Sequence, residues 1–207
     1  MMLHRVALLV PIACALLFTS HALAGPLLIC QPYEIGSARS LPWTPGPKGG
    51  LVPDYPRQRL TADTLALLAP ATPVIVRMET MRRATYYIDG HEAIGHELLS
   101  RLLARVIEAE ARGTADPLAW FDAGYFVASL QQARHRTGYT KVADGLDGYA
   151  WVRRALQARG SDPDMEFAAA LLQRESPQRP GGHLPRAQAG ARPGSLLEKN
   201  VLAHFGH

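Results

Sequence analysis

Three helix-start signals of the same kind recur along the chain and constrain its fold more than any other feature. Thr72, Asp116 and Asp162 each stand directly before a proline, at spacings of 44 and 46 residues. A capping side chain followed by proline at the first helical position is typical of a helix start, because the N–H that proline lacks has no partner there. Spacings near 45 residues are typical of two-helix repeats. The pattern predicts an all-α fold of three stacked helical hairpins.

The segments between these signals carry helical patterns. Leu99, Leu102, Leu103, Val106 and Ile107 recur at helical spacing, and Gly113 ends that helix. The run from Pro73 to Ile88 also suits a strand at Val74, Ile75 and Val76, but its length favours a helix. Thr61 is expected to cap a short helix that reaches Ala69, and Ser195 to cap the last helix. Residues 60–207 are therefore predicted to form a single helical domain.

Two segments interrupt this pattern with proline and glycine. Residues 25–59 contain seven prolines, which exclude regular helix over nearly all of that range. Apolar residues scattered among them predict an extended arm at 25–43 that lies against the domain, followed by a loop at 44–59; a proline-rich ligand for a partner is the alternative. Residues 176–194, with four prolines, are predicted to be a loop.

The first 24 residues follow the pattern of a cleavable secretory signal. Arg5 precedes an apolar run from Val6 to Phe18, and the small-residue triplet Ala22–Leu23–Ala24 follows it. Cleavage after Ala24 would deliver the chain to the periplasm or the exterior, and no later stretch is apolar enough for a membrane helix. A retained anchor, or a lipoprotein signal ending at Cys14, are the alternatives. After cleavage at Ala24, Cys30 would be the lone cysteine. Its apolar neighbours predict a buried, inert thiol over an intermolecular bridge.

Two resemblances accompany these patterns. The string Ala119–Tyr125 resembles the first helix of a tetratricopeptide repeat, and Ala155, Leu156, Asp162 and Pro163 resemble its second helix and exit, which implies a helical hairpin over 117–163. The loop at 135–147 is longer than in that family, and the resemblance covers a single unit. Residues 26–43 and 74–79 are similar to exported bacterial proteins, a resemblance that implies no activity.

The charge pattern argues against a nucleic-acid binder. Lys and Arg exceed Asp and Glu by only four, a mild excess for a chain of 207 residues. Arg82–Arg83 and Arg153–Arg154 are expected to be solvated helix faces, with a basic groove for anionic partners as the alternative.

The most tempting chemical motif is His91, Glu92 and His96, which nearly matches the helical zinc-hydrolase pattern. That pattern needs two histidines four residues apart. Here they are five apart, which separates them by about 140° around a helix. The motif is therefore expected to be a surface helix entry, with Glu92 and His96 as an ordinary side-chain pair.

The remaining candidates are weaker. Asp122 is the one carboxylate placed on a largely apolar helix, where a helix-packing hydrogen bond or simple exposure is the ordinary interpretation. His204 and His207 are expected to belong to a frayed C-terminus. The sequence thus predicts no catalytic residue, no metal ligand and no cofactor.

Function is predicted from architecture. The first hypothesis is a non-catalytic interaction module of the cell envelope with a protein partner. The second is a helical protein that binds a small apolar ligand, since Trp120, Phe121, Tyr125, Phe126 and Trp151 could line a cavity. A metal-dependent hydrolase is the third. Neither the partner nor the oligomeric state follows from the sequence.

Overall fold

The computed structural model describes residues 27–46, 49–135, 141–174, 176, 178–179 and 181–206. Its helices are α1 (Leu27–Cys30), α2 (Leu60–Leu67), α3 (Val74–Ile88), α4 (Glu92–Ala111), α5 (Pro117–Gln132), α6 (Gly148–Arg159), α7 (Pro163–Arg174), α8 (His183–Gly190) and α9 (Leu196–Phe205). Short 3-10 turns occupy Arg57–Arg59 and Ala133–His135. The predicted all-α architecture is confirmed over these residues. The predicted signal at 1–24, Cys14 and His207 lie outside them.

Two of the three proline-linked start signals cap their helices. Asp116 accepts a 3.0 Å hydrogen bond from the Ala119 N–H at the start of α5, and Asp162 accepts one of the same length from the Met165 N–H at the start of α7. Thr72 does not cap α3: its hydroxyl donates instead to the Leu67 carbonyl at the end of α2.

The caps predicted at the two ends of the helical domain had different outcomes. Ser195 caps α9 through the Glu198 N–H. Thr61 does not cap α2, because that helix already begins at Leu60 and Thr61 lies inside it.

Helix α5 lies at the centre of the molecule and contacts α1, α3, α4, α6 and α7. It pairs most closely with α6, where Gly124 faces Gly148. A Cβ on Gly124 would lie 2.7 Å from the Gly148 carbonyl oxygen, so only glycine permits this approach of the two backbones. Phe121, Tyr125 and Phe126 of α5 are fully buried, which makes α5 the core of the domain.

Helix α4 shows the predicted amphipathic pattern with one exception. Leu99, Leu102 and Val106 are buried, whereas Ile107 is 65% exposed. The expectation that Ile107 joins the buried face is wrong, because the contacts of α4 with α2 and α5 leave Ile107 outside the interface. In the ranges that the structure covers, no helix is both long and apolar enough to cross a membrane.

The proline-rich arm packs onto the helices. Leu28, Ile29, Tyr33 and Leu41 are buried, and the Leu28 N–H donates to the Gln132 side chain of α5. At the other end of the chain, Asn200 of α9 holds the arm through both halves of its amide. Its Oδ1 accepts from the Glu34 N–H, and its Nδ2 donates to the Glu34 carbonyl. The arm is thus held by α5 and α9.

Helix α8 occupies part of the segment predicted as a loop at 176–194. Pro185 is its third residue, and a proline in the first turn removes no intrahelical hydrogen bond, so the helix tolerates it. Gly182, with a φ of 85°, precedes the helix. Helix α8 packs on α7, and together with α6 these helices enclose the cleft described next.

Candidate binding cleft

An open cleft of about 350 Å³ lies between α6, α7 and α8. The chain places it where the Gly160–Ser161 turn links α6 to α7 and where α8 packs beside α7. The cleft is lined by Arg153, Leu156, Gln157, Gly160, Ser161, Glu166, His183 and Arg186. Its wall therefore combines charged and polar groups with one apolar side chain, Leu156.

A line of hydrogen bonds fixes His183 at the floor of the cleft. Its Nδ1 lies 2.6 Å from Glu166 Oε2, and its Nε2 lies 2.8 Å from the Tyr149 hydroxyl. An ionised carboxylate only accepts, so the Nδ1–H of His183 donates to Glu166; when the imidazole is neutral, its Nε2 accepts from the Tyr149 hydroxyl. Burial raises the pKa of the Tyr149 hydroxyl, and the charges of Arg153 and Arg179 oppose that shift.

Arg186 is the second hydrogen-bond partner of Glu166. Its Nε donates a 2.7 Å hydrogen bond to Glu166 Oε1, and its Nη2 lies 2.9 Å from His183 Nδ1. Glu166 is largely buried, while the Arg186 side chain is 49% exposed. Both carboxylate oxygens thus have cationic or N–H partners, and the guanidinium retains a solvent-facing side.

Arg153 makes no hydrogen bond to this network, although its charge lies close enough to Tyr149 to oppose the rise in that pKa. It is half-buried on α6, lines the cleft, and has no hydrogen bond or ion pair with any residue that the structure describes. Its neighbour Arg154 is 57% exposed but has partners: it donates to Glu110 at 2.5 Å and lies 4.2 Å over the Trp120 ring. The two arginines that were predicted to share a solvated helix face therefore differ. Of the two, Arg153 alone lines the cleft and is available to a ligand there.

The three members of the Tyr149–His183–Glu166 line differ in their access to the cleft. Tyr149 is buried and does not line the cleft, so its hydroxyl is not presented to a substrate. Both imidazole nitrogens of His183 are already engaged, and in the described part of the chain no hydrogen bond joins Ser161 to a base. The line orients His183 and Glu166 at the floor of the cleft.

The near-zinc motif does not converge. His91 precedes α4 and its Nε2 contacts the guanidinium of Arg57, whereas Glu92 accepts a 2.8 Å hydrogen bond from the Lys141 N–H. His96 is exposed and does not pair with Glu92, contrary to the expected side-chain pair. Within the described ranges, no three His, Cys, Asp or Glu side chains are grouped so that they could hold a metal ion.

Asp122 is fully buried and serves helix packing. Its Oδ2 accepts from Arg77 at 2.6 Å and from Arg105 at 3.3 Å. The two guanidiniums also donate to backbone carbonyls of the turn between α2 and α3, those of Leu68, Ala69 and Thr72. Burial raises the pKa of Asp122 to about 6, against the opposing effect of the two arginines. The cluster joins α3, α4 and α5 to the turn that follows α2.

A second buried cluster surrounds Glu79 beneath the arm. Glu79 accepts from Arg82, from Arg83 and from the Tyr33 N–H. The expectation that Arg82 and Arg83 form a solvated face is wrong, because Arg82 is buried and Arg83 is only 17% exposed. Both guanidiniums also donate to arm carbonyls, those of Ile29 and Leu41 respectively. The arm covers both guanidiniums and accepts one hydrogen bond from each of them.

His204 of α9 borders the same cluster. It is buried, and its ring stacks on Tyr33 with centroids 4.9 Å apart, so it is not part of a frayed end. Neither ring nitrogen makes a well-formed hydrogen bond. Burial lowers the pKa of His204 to about 4, and the nearby Pro32 carbonyl opposes that shift.

Cys30 is exposed, so the prediction of a buried thiol is wrong. Short helix α1 turns Leu28 and Ile29 inward and leaves Cys30 at the mouth of a pocket of about 390 Å³ with Trp43, Arg82 and Tyr86. Arg82 in that pocket is committed to Glu79 and to the Ile29 carbonyl.

The aromatic residues proposed to line an apolar cavity are divided between core and surface. Phe121, Tyr125 and Phe126 are packed in the core. Trp120 and Trp151 are half-buried and meet edge to face with centroids 6.0 Å apart.

Sequence reasoning missed three residues that line the cleft and Tyr149, which holds His183 from behind. Tyr149, Glu166, His183 and Arg186 come from three helices, and the last two stand in the segment predicted as a loop. The three-residue spacing of His183 and Arg186 is a helical signal, but the adjacent prolines and glycines conceal it.

Comparison with known proteins gives no match: no family model, no curated protein and no solved structure is significantly similar to the chain.

Proposed function

We propose that this chain is a non-catalytic interaction module of the cell envelope that binds an anionic group of its partner in the cleft between α6, α7 and α8. One observation carries the proposal: Arg153 lines the cleft, is half-buried, and lacks a partner among the described residues. A half-buried guanidinium without a partner loses hydration without compensation. An anion bound to Arg153 would compensate for that lost hydration.

The surrounding groups support binding over catalysis. Glu166 and His183 are locked by Arg186 and Tyr149, so the floor is rigid before any ligand arrives. Export after cleavage at Ala24, and the tetratricopeptide-like character of the α5–α6 hairpin, belong to the same proposal. They rest on the sequence pattern and on the resemblance stated above.

Thermal unfolding with and without anions tests this function. A ligand that binds only the folded state raises the unfolding temperature. We expect acetate or inorganic phosphate to raise it in the wild type and in Arg154→Gln, relative to chloride at equal ionic strength, and not in Arg153→Gln. Arg154 is the matched control because it is adjacent on α6 but engaged with Glu110 and Trp120. Equal responses of the two variants, or no response in any protein, would reject the proposal.

A further inference from the structure

The polar groups available in the cleft define the chemistry of the ligand. Besides Arg153, the side chains of Gln157 and Ser161 line the cleft and have no hydrogen-bond partner within the described ranges. Leu156 adds the apolar part of the wall. A cation, an amide and a hydroxyl beside one aliphatic side chain match a carboxylate that is attached to a hydrogen-bonding backbone and a short apolar group.

The charge of the cleft distinguishes a carboxylate from a phosphate. Arg153 and Arg186 contribute two positive charges and Glu166 one negative charge, which leaves one net positive charge when His183 is neutral. A monoanionic carboxylate balances that charge. A dianionic phosphate would place excess negative charge beside Glu166, which is unfavourable in a partly buried site.

The volume limits the size of the bound group. At about 350 Å³ the cleft is near the lower end of the range for small-molecule sites. It accommodates a group the size of one amino-acid residue, so a larger partner could insert only its end.

From these observations we infer that the cleft captures a monocarboxylate bearing a short aliphatic group, of the kind found at the C-terminus of a peptide that ends in leucine or valine. This inference rests on the proposed function and specifies its ligand class. The same chemistry is found in a free branched carboxylic acid, and the experiment separates the two sources.

Isothermal titration with four probes tests the ligand class. The probes are N-acetyl-leucine, N-acetyl-leucinamide, 4-methylpentanoate and inorganic phosphate. We expect N-acetyl-leucine to bind the wild type at least tenfold more tightly than the amide, because a charge-assisted hydrogen bond to Arg153 is lost. We expect phosphate to bind more weakly than N-acetyl-leucine. Tighter binding of N-acetyl-leucine than of 4-methylpentanoate identifies a peptide C-terminus, and equal binding identifies a free acid.

The variants keep this inference separate from the proposed function. Arg153→Gln is expected to lose at least tenfold in affinity for N-acetyl-leucine, and Arg154→Gln to keep the wild-type affinity. Circular dichroism of both variants verifies that they fold. If phosphate binds more tightly than N-acetyl-leucine and Arg153→Gln weakens it, the carboxylate inference is overturned while anion binding stands. If the amide binds as tightly as the acid, the bound group is not recognised by its charge, and both the inference and the proposed function are overturned. If no probe binds, or if Arg153→Gln binds both phosphate and N-acetyl-leucine as the wild type does, the proposed function is excluded and the inference that rests on it falls with it.

Discussion

Arg77 donates a 2.6 Å hydrogen bond to Asp122, and both side chains are completely removed from solvent. Arg77 lies on α3 and Asp122 on α5, so the pair joins the central helix to its neighbour. Removing one member of a buried ion pair leaves an uncompensated charge, whereas replacing both with apolar groups is often neutral.

We therefore expect Asp122→Leu and Arg77→Met each to lower the free energy of unfolding by about 3–5 kcal/mol. The double variant still leaves Arg105 without its carboxylate partner, but it is expected to lose less than the total of the two single losses. Urea denaturation of the four proteins gives the coupling energy. Additive losses would contradict the interpretation of this pair as a single packing unit.

The contact of Gly124 with Gly148 gives a second prediction. An added Cβ on Gly124 meets backbone atoms of α6, which cannot move without separating the helices. Gly124→Ala is therefore expected to destabilise the protein by about 1–3 kcal/mol despite the better helix propensity of alanine. Gly95→Ala is the matched control in α4, because its Cβ would meet only the side chains of Val142 and Ile88. Equal stabilities of the two variants in urea would refute the close approach.

His204 gives a pH prediction. Its pKa is lowered to about 4 in the folded protein from an ordinary value near 6.5, so the unfolded chain binds more protons between those values. The contribution of neutral His204 to stability is present above pH 6.5 and is lost as the pH falls toward 4, by about 3 kcal/mol. Asp122, with its pKa raised to about 6, acts in the opposite direction over the same window.

The comparison that isolates His204 is therefore wild type against His204→Phe. Phenylalanine retains the ring contacts with Tyr33 and Phe167 but does not titrate. We expect the stability difference between the two proteins to shift in favour of the variant as the pH falls from 7 to 4. A difference independent of pH would show that the buried imidazole does not set the acid sensitivity.

The exposed thiol of Cys30 predicts rapid chemical labelling. In a chain that begins at Gly25, Cys30 is the single cysteine. We expect one thiol to react with Ellman's reagent in the native protein as completely as in denaturant. Reaction only after denaturation would show that the thiol is buried, as its apolar neighbours in the sequence predict.

The helices could be predicted where the signal was local. Asp116 and Asp162 beside proline located the starts of α5 and α7 because capping involves only the next three residues. Thr72 carries the same signal, but its hydroxyl is taken by the Leu67 carbonyl, so the cap did not form. Helix α8 was missed because Pro185 in a first turn is harmless to a helix yet resembles a loop signal.

The cleft could not be predicted because it depends on long-range contacts. Tyr149 and His183 are 34 residues apart and meet only when α8 forms and packs on α7. The Arg153–Arg154 pair illustrates the same point: a basic groove was one of its two interpretations, and only the packing of Arg154 on Trp120 separates the roles of the two residues.

An NMR titration of the isotope-labelled protein with acetate tests the central claim most directly, since it locates the bound anion. We predict saturable shifts of the Gly160, Ser161 and His183 amide signals in the wild type and in Arg154→Gln, and none in Arg153→Gln. Saturable shifts elsewhere on the protein, with the cleft signals unchanged, would contradict the assignment of this cleft as the binding site.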